Sequence, residues 1–306
     1  MIDALGALAP TFLLIALGYG VRAGGIVTAE AMGVVNRFGY FVLYPAFLFA
    51  LVSDADFNAR GTGAFLVGLA AGPTVLILLG LALRAPFRHD SGPAFTSVFQ
   101  GSVRWNGFVL LAAAPSLYGE AGLDLIGIGF GPIVLLINVV CVAVLARWGE
   151  ARAANMRAVL DQILANPLIL ACAAGIAASV TGWSDLGPVT DTIDLLGPAA
   201  MPVALVCVGA GLNFAAVRAA GVKVATACTM KLAVAPALLW GVATLCGATP
   251  LAAAVAAGLG ATPTAAAAYT LSREMGGDAQ LMAAIITATT ALSFVTMPIM
   301  VALTAP

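Results

Sequence analysis

Apolar residues run through most of this chain with few of the polar positions that mark a helix half in water. Ten runs can be drawn, at 4–21, 32–51, 63–83, 93–117, 123–145, 163–180, 195–214, 222–246, 250–271 and 279–302. Each is about the 20 residues that a helix needs to cross a ~30 Å hydrocarbon layer. The connections are short, and no stretch between runs is long enough for a soluble domain. Two runs are interrupted at their centres. The fourth carries Gln100-Gly101-Ser102-Val103-Arg104-Trp105-Asn106-Gly107, and the ninth carries Gly260-Ala261-Thr262-Pro263-Thr264-Ala265. Polar residues and helix breakers at that depth predict broken helices, since irregular backbone is tolerated inside a bilayer only where protein or a wet cavity surrounds it.

Composition narrows the class. The 306 residues are 62% hydrophobic and 9% charged, against about a quarter charged in an ordinary soluble protein. An all-α polytopic membrane protein is predicted; the ten-residue alternation of a membrane barrel is not seen. Cys141, Cys172, Cys207, Cys228 and Cys246 lie in or at the edge of apolar runs without metal-ligand spacing, and read as small buried hydrophobes. The first run lacks a preceding basic stretch, so it is expected to be a membrane helix and not a cleaved leader. Nine basic residues follow odd-numbered runs: Arg22, Arg84, Arg88, Arg147, Arg152, Arg157, Arg218, Lys223 and Arg273. The opposite side holds Arg60 and the acidic Asp54, Asp56, Glu120, Asp124, Asp185 and Asp191. The positive-inside rule then puts the nine on the cytoplasmic face, with both termini outside.

The two halves of the chain echo one another. Pro10, Pro45 and Pro93 are each followed 157 residues later by a proline, at 167, 202 and 250. At an offset of 158, Gly119-Glu120-Ala121 falls on Gly277-Asp278-Ala279, and Trp105-Asn106 falls on Pro263-Thr264. Two repeats of five helices must be inverted, because the second enters from the opposite face. The expected organisation is a first five-helix repeat at 1–147, a cytoplasmic connector at 148–162, and a second, inverted repeat at 163–306. Pro45 and Pro202 are expected to mark matching kinks or breaks in the second and seventh helices.

Further stretches carry a resemblance. They are Val35-Asn36-Arg37-Phe38 with Leu43-Tyr44-Pro45-Ala46-Phe47-Leu48-Phe49, Asn166-Pro167-Leu168-Ile169, Leu196-Gly197 with Met201-Pro202-Val203-Ala204-Leu205 and Gly209-Ala210, Lys231-Leu232 with Pro236, Pro263-Thr264-Ala265, and Gly277-Asp278. In this order, over nearly the whole length, the chain resembles the prokaryotic auxin efflux carrier family, which includes malonate transporter-like proteins and is related to the plant PIN-type auxin transporters. The resemblance implies a ten-helix inverted-repeat fold shared with bile-acid sodium symporters, a scaffold and a transport domain, crossing broken helices four and nine, movement of organic acid anions, and a homodimer. One departure stands out: Trp105 occupies the slot where PIN-type transporters place a proline.

The chemistry of the centre points the same way. Half-helices starting near Asn106 and Thr264 would present free N–H groups and about half a positive charge each, suited to a carboxylate; Asn and Thr are good N-caps. Arg104 and Lys231 both lie near mid-membrane, where a cation needs a cavity or a partner. No Asp or Glu falls at mid-depth in any run. The missing negative charge is therefore assigned either to the substrate or to a neutral, proton-coupling Lys231. The candidate substrate-binding residues are Arg104, Trp105, Asn106, Asn138, Thr262, Pro263 and Thr264, with Lys231 as the coupling or counter-charge residue and Gly107 at the helix break. The hydroxyls of Thr287, Thr289, Thr290, Ser293 and Thr296 read as packing groups that bond back to their own helix.

The expected function is secondary active transport of an organic acid anion by alternating access, proton-coupled or sodium-independent. A sodium-coupled bile-acid-type symporter on the same fold is the alternative, and a membrane receptor without transport is a third reading. An enzyme is not expected, because the one histidine, His89, sits in a basic loop and no nucleophile–base pair or metal cluster falls at depth. The expected surroundings are a lipid bilayer and a small anion, with no nucleic acid, cofactor or metal.

Overall fold

The computed structural model describes residues 2–55, 62–150, 165–183, 187–217 and 221–305. Arg60, Asp56, Arg152, Arg157, Asp185, Arg218 and most of the connector at 148–162 lie outside the described residues. Among those described the chain is helical throughout, with no strand. Its α-helices are α1 (Ile2–Ala23), α2 (Ala29–Phe38), α3 (Tyr44–Ser53), α4 (Thr62–Ala82), α5 (Gly92–Val103), α6 (Gly107–Trp148) and α7 (Pro167–Thr181). They continue with α8 (Pro188–Gly211), α9 (Phe214–Val217), α10 (Gly221–Thr229), α11 (Ala235–Leu245), α12 (Pro250–Ala261), α13 (Ala267–Glu274) and α14 (Ala279–Leu303).

Seven continuous helical stretches among the described residues are long and apolar enough to cross a membrane: Ala4–Ala23, Ala29–Ser53, Thr62–Ala82, Gly92–Trp148, Pro188–Gly211, Gly221–Leu245 and Ala279–Leu303. The chain is thus an integral membrane protein. Helix is the natural state for such segments, because a helix satisfies its own backbone hydrogen bonds where water cannot.

Prolines and glycines set the interruptions. Gly119 has φ 66° and ψ −170° inside α6, a conformation that only glycine adopts at low cost, and it divides that helix where the polar Tyr118-Gly119-Glu120 separates two apolar runs. Two further interruptions are π-turns. Gly39–Leu43 links α2 to α3, with the Tyr44 N–H bonded to the Gly39 carbonyl, and Met230–Val234 links α10 to α11, with the Ala235 N–H bonded to the Met230 carbonyl. Each π-turn starts six residues before a proline, Pro45 or Pro236. The ring of a helical proline collides with the carbonyl four residues back, and one extra residue in the preceding turn moves that carbonyl aside. Pro202 behaves differently: α8 runs through both Pro198 and Pro202, so the break expected there as the counterpart of Pro45 is not seen. Pro202 is exposed.

The helices form two packing neighbourhoods. In one, α1 and α3 lie on α8, α2 lies on α8, and α3 also lies on α7; in the other, α11 lies on α12 and α4, and α14 touches α5, α9, α10, α12 and α13. α6 touches both. The α1–α8 contact is unusually close: a Cβ at Gly18 would lie 2.0 Å from the Val206 carbonyl oxygen, and one at Gly209 would lie 1.8 Å from that of Ile15. Small residues permit this approach, and with no hydrophobic drive between helices in lipid, such packing holds them together. Arg22 closes the end of the pair by donating to the Ala210 carbonyl at 2.6 Å and to the Leu212 carbonyl at 3.2 Å, at the C-terminus of α8.

Candidate functional site: the crossing of two broken helices

The fourth apolar run breaks after Val103 and resumes as a helix at Gly107. The ninth breaks after Ala261 and resumes at Ala267. In the second break the cause is local, since Pro263 disfavours helical backbone in the residue before it, and Thr262 is accordingly extended at φ −62° and ψ 152°. In the first break no proline is present, and the support comes from across the molecule. The Asn106 N–H donates to the Pro263 carbonyl at 2.8 Å. The Thr264 hydroxyl donates to the Gly101 carbonyl, also at 2.8 Å. The two breaks therefore meet, and each satisfies backbone groups that the other leaves open.

The crossing is packed tightly around small residues. A Cβ on Gly101 would lie 2.5 Å from a methyl of Ile285, and one on Gly107 would lie 2.2 Å from the Phe130 ring. Gly107 is thus the first residue of α6, held to glycine by Phe130. Trp105 is buried within the main hydrophobic core, and Pro263 is buried as well.

The polar groups divide into those spent on the fold and those left over. Thr262 donates to the Leu259 carbonyl at 2.8 Å. The Thr264 N–H donates to the Thr289 hydroxyl at 3.2 Å, and Thr289 donates in turn to the Ile285 carbonyl at 2.8 Å. Thr289 thus bonds back to its own helix and also supports the second break. Thr264 is not the N-cap of α13: that helix starts three residues later, capped in position by Ala266 with no side-chain bond, because the Thr264 hydroxyl is turned to Gly101. Only the first break opens into a helix whose cap position carries a polar side chain.

That side chain is Asn106. It occupies the N-cap of α6 without bonding to the helix, and its Nδ2 is buried with no partner among the described residues. Arg104, 8% exposed, donates from Nη2 to the Asn138 Oδ1 at 2.7 Å, while its Nη1 is buried with no hydrogen-bond partner among the described residues. Asn138 therefore holds Arg104 from α6, 34 residues away. Lys231, in the second π-turn and 1% exposed, donates to the Gly260 carbonyl at 2.5 Å. Among the described residues neither Arg104 nor Lys231 is ion-paired; the ion pair that is present, Lys223–Asp90 at 2.5 Å, is elsewhere.

Sequence reasoning did not single out Gln100 and Ser272. Both are fully buried, the Gln100 Nε2 donates to the Ser272 hydroxyl at 2.9 Å, and the Gln100 Oε1 has no partner among the described residues. A glutamine in the middle of an apolar run was the available signal. A cavity of about 440 Å³ lined by Phe214, Val217, Val224, Cys228, Ala288 and Leu292 contains none of the candidate site residues and is almost wholly apolar. No group of three or more His, Cys, Asp or Glu side chains fit to hold a metal ion occurs among the described residues.

Residues 3–301 match the model of a family described as membrane transport protein. Over 308 aligned residues the chain is 28% identical to a Rhizobium meliloti (strain 1021) protein described as "Putative malonate transporter", an alignment that covers 97% of this chain and 94% of that one.

Proposed function

Because the chain belongs to the membrane transport protein family, the auxin efflux carriers, and so is a transporter and not an enzyme, we propose that its cargo is a small organic acid anion held at the crossing of the two broken helices. One observation carries the reading. Arg104 and Asn106 flank the mouth of α6, and among the described residues each keeps a buried donor without a protein acceptor and the Arg104 guanidinium has no counter-ion. A buried donor left unmade costs about 1–3 kcal/mol, more when charged. A carboxylate at the helix N-terminus answers both, with the dipole of α6 behind it. Asn138 positions the guanidinium, Trp105 and Pro263 wall the site, and Thr262 and Thr264 hold the second break in place.

The transport reading brings an architecture with it. The 57-residue stretch Gly92–Trp148 would be about 85 Å long if straight, far more than a ~30 Å core, so it counts as two passes divided at Gly119. With α7, and with α12 and α13 joined across their break, the passes come to ten. They divide into repeats at 1–147 and 163–306 of opposite orientation, with the connector 148–162 and the nine basic residues on the cytoplasmic side of the inner membrane. Rocking of the helices that carry the crossing, against α1–α3, α7 and α8 as a scaffold, moves the anion by alternating access. Coupling is to protons or to no ion, and the scaffold pairs two copies.

The test is the melting temperature of the purified protein against malonate, other small dicarboxylates, aromatic monocarboxylates and bile acids, with and without sodium. A ligand at 100 times its Kd stabilises by about 2.7 kcal/mol. A rise with a small carboxylate in sodium-free buffer is expected. A rise only with sodium and a sterol acid would replace this reading with sodium-coupled symport, and no rise with any carboxylate would remove the anion from the crossing.

A further inference from the structure

The C-terminal ends of the two half-helices are closed in different ways. At the end of α5, the Gln100 carbonyl accepts from the Arg104 N–H and the Gly101 carbonyl accepts from the Thr264 hydroxyl. At the end of α12, the Leu259 carbonyl accepts from the Thr262 hydroxyl, while the Gly260 carbonyl accepts from the ammonium of Lys231. Among the described residues, Gly260 is the only carbonyl at the end of either half-helix that meets a side chain able to carry a full positive charge. Such ends, with their unwound carbonyls, are where coupling cations are bound in transporters built from broken helices.

The surrounding packing fixes that charge in place. Gly260 is pressed against α11 so closely that a Cβ would lie 2.6 Å from the Cα of Pro236. Pro236 in turn sits behind the π-turn from which Lys231 projects. The side chain is 1% exposed, its one hydrogen bond among the described residues goes to Gly260, and no carboxylate is paired with it. A buried ammonium is expensive unless something negative compensates it; here the helix end does so, at about half a charge.

We propose that Lys231 is a tethered replacement for the coupling cation: its ammonium stands at the C-terminal end of α12 where a free sodium ion would otherwise bind, and so frees the transporter from sodium. This deepens, and rests on, the reading of the chain as a sodium-independent anion transporter.

The experiment compares melting temperatures in sodium chloride, choline chloride and ethylammonium chloride at equal ionic strength, with no carboxylate present. Wild type should melt at one temperature in all three. Lys231→Ala should melt lower in choline and recover progressively with sodium or ethylammonium, because truncation leaves room for a small cation at the carbonyl. Lys231→Met should melt lower and recover in neither, since its side chain fills that room. Stabilisation of wild type by sodium over choline would overturn the proposal, and this arm reads even if the variants are lost in purification. So would a Lys231→Ala variant that no cation restores, or one that melts like wild type. With no anion in the assay, failure here leaves the carboxylate reading standing, and a carboxylate that fails to bind wild type leaves this result intact.

Discussion

The backbone N–H of Asn106 and the carbonyl of Pro263 are joined by a 2.8 Å hydrogen bond between residues 157 positions apart. Each is a group that a continuous helix would have satisfied internally, and each belongs to a break in a membrane-spanning run. Neither break is therefore stable alone. The first lacks a proline to enforce it and depends on the second for its acceptor, while the second depends on α14 through Thr289 for the Thr264 N–H.

Thr264→Val tests this mutual dependence. Valine keeps the shape of threonine but cannot donate to the Gly101 carbonyl, which is left buried and unpaired at a cost of about 1–3 kcal/mol. The melting temperature should fall accordingly, while Thr264→Ser should keep most of the loss from appearing. Equal melting of the valine variant and wild type would mean that the Gly101 carbonyl finds another donor.

Arg104 and Asn138 should differ in what their removal does to anion binding. Arg104→Gln removes the cation itself; with about 1.5–3 kcal/mol for a hydrogen bond to a charged group, affinity for a small carboxylate should fall about ten- to a hundredfold. Asn138→Ala leaves the charge but releases the guanidinium from its 2.7 Å anchor, so affinity should fall less and the salt sensitivity of binding should rise. Titrations monitored by melting temperature or calorimetry would measure both. An Asn138→Ala variant weaker than Arg104→Gln would assign the anion contact to Asn138.

Much of this centre could be read before any coordinates, for reasons that differ by residue. Pro263 announces its break locally, and Arg104 with Asn106 stand out because polar groups are rare in an apolar run. The partners of those groups could not be read. Thr264 looked like a cap because threonine caps well, but the choice between capping α13 and closing Gly101 is made by a contact 163 residues away. Lys231 read as a coupling or counter-charge residue from its depth alone, and which group it meets, the carbonyl that the end of α12 leaves open at Gly260, is set by a contact 29 residues away. The π-turns left only Pro45 and Pro236 as traces, while Pro202, an identical signal, lies exposed in a helix that runs from Pro188 to Gly211.

The glycines divide as sharply as the prolines, and this gives a controlled stability test. Gly209→Ala would place a methyl 1.8 Å from the Ile15 carbonyl oxygen, backbone that cannot rotate away, so α1 and α8 must separate. Overpacking of this kind costs about 1–3 kcal/mol, and the Arg22 bonds to the end of α8 should loosen with it. Gly6→Ala, also in α1, is the control: nothing lies within 4 Å of the added carbon, and alanine is a better helix former than glycine by about 1 kcal/mol. The first variant should melt lower than wild type and the second no lower. If both fall alike, the close approach of α1 and α8 is not what distinguishes the two positions; if neither falls, the helices have slack that their packing at Gly18 and Gly209 denies.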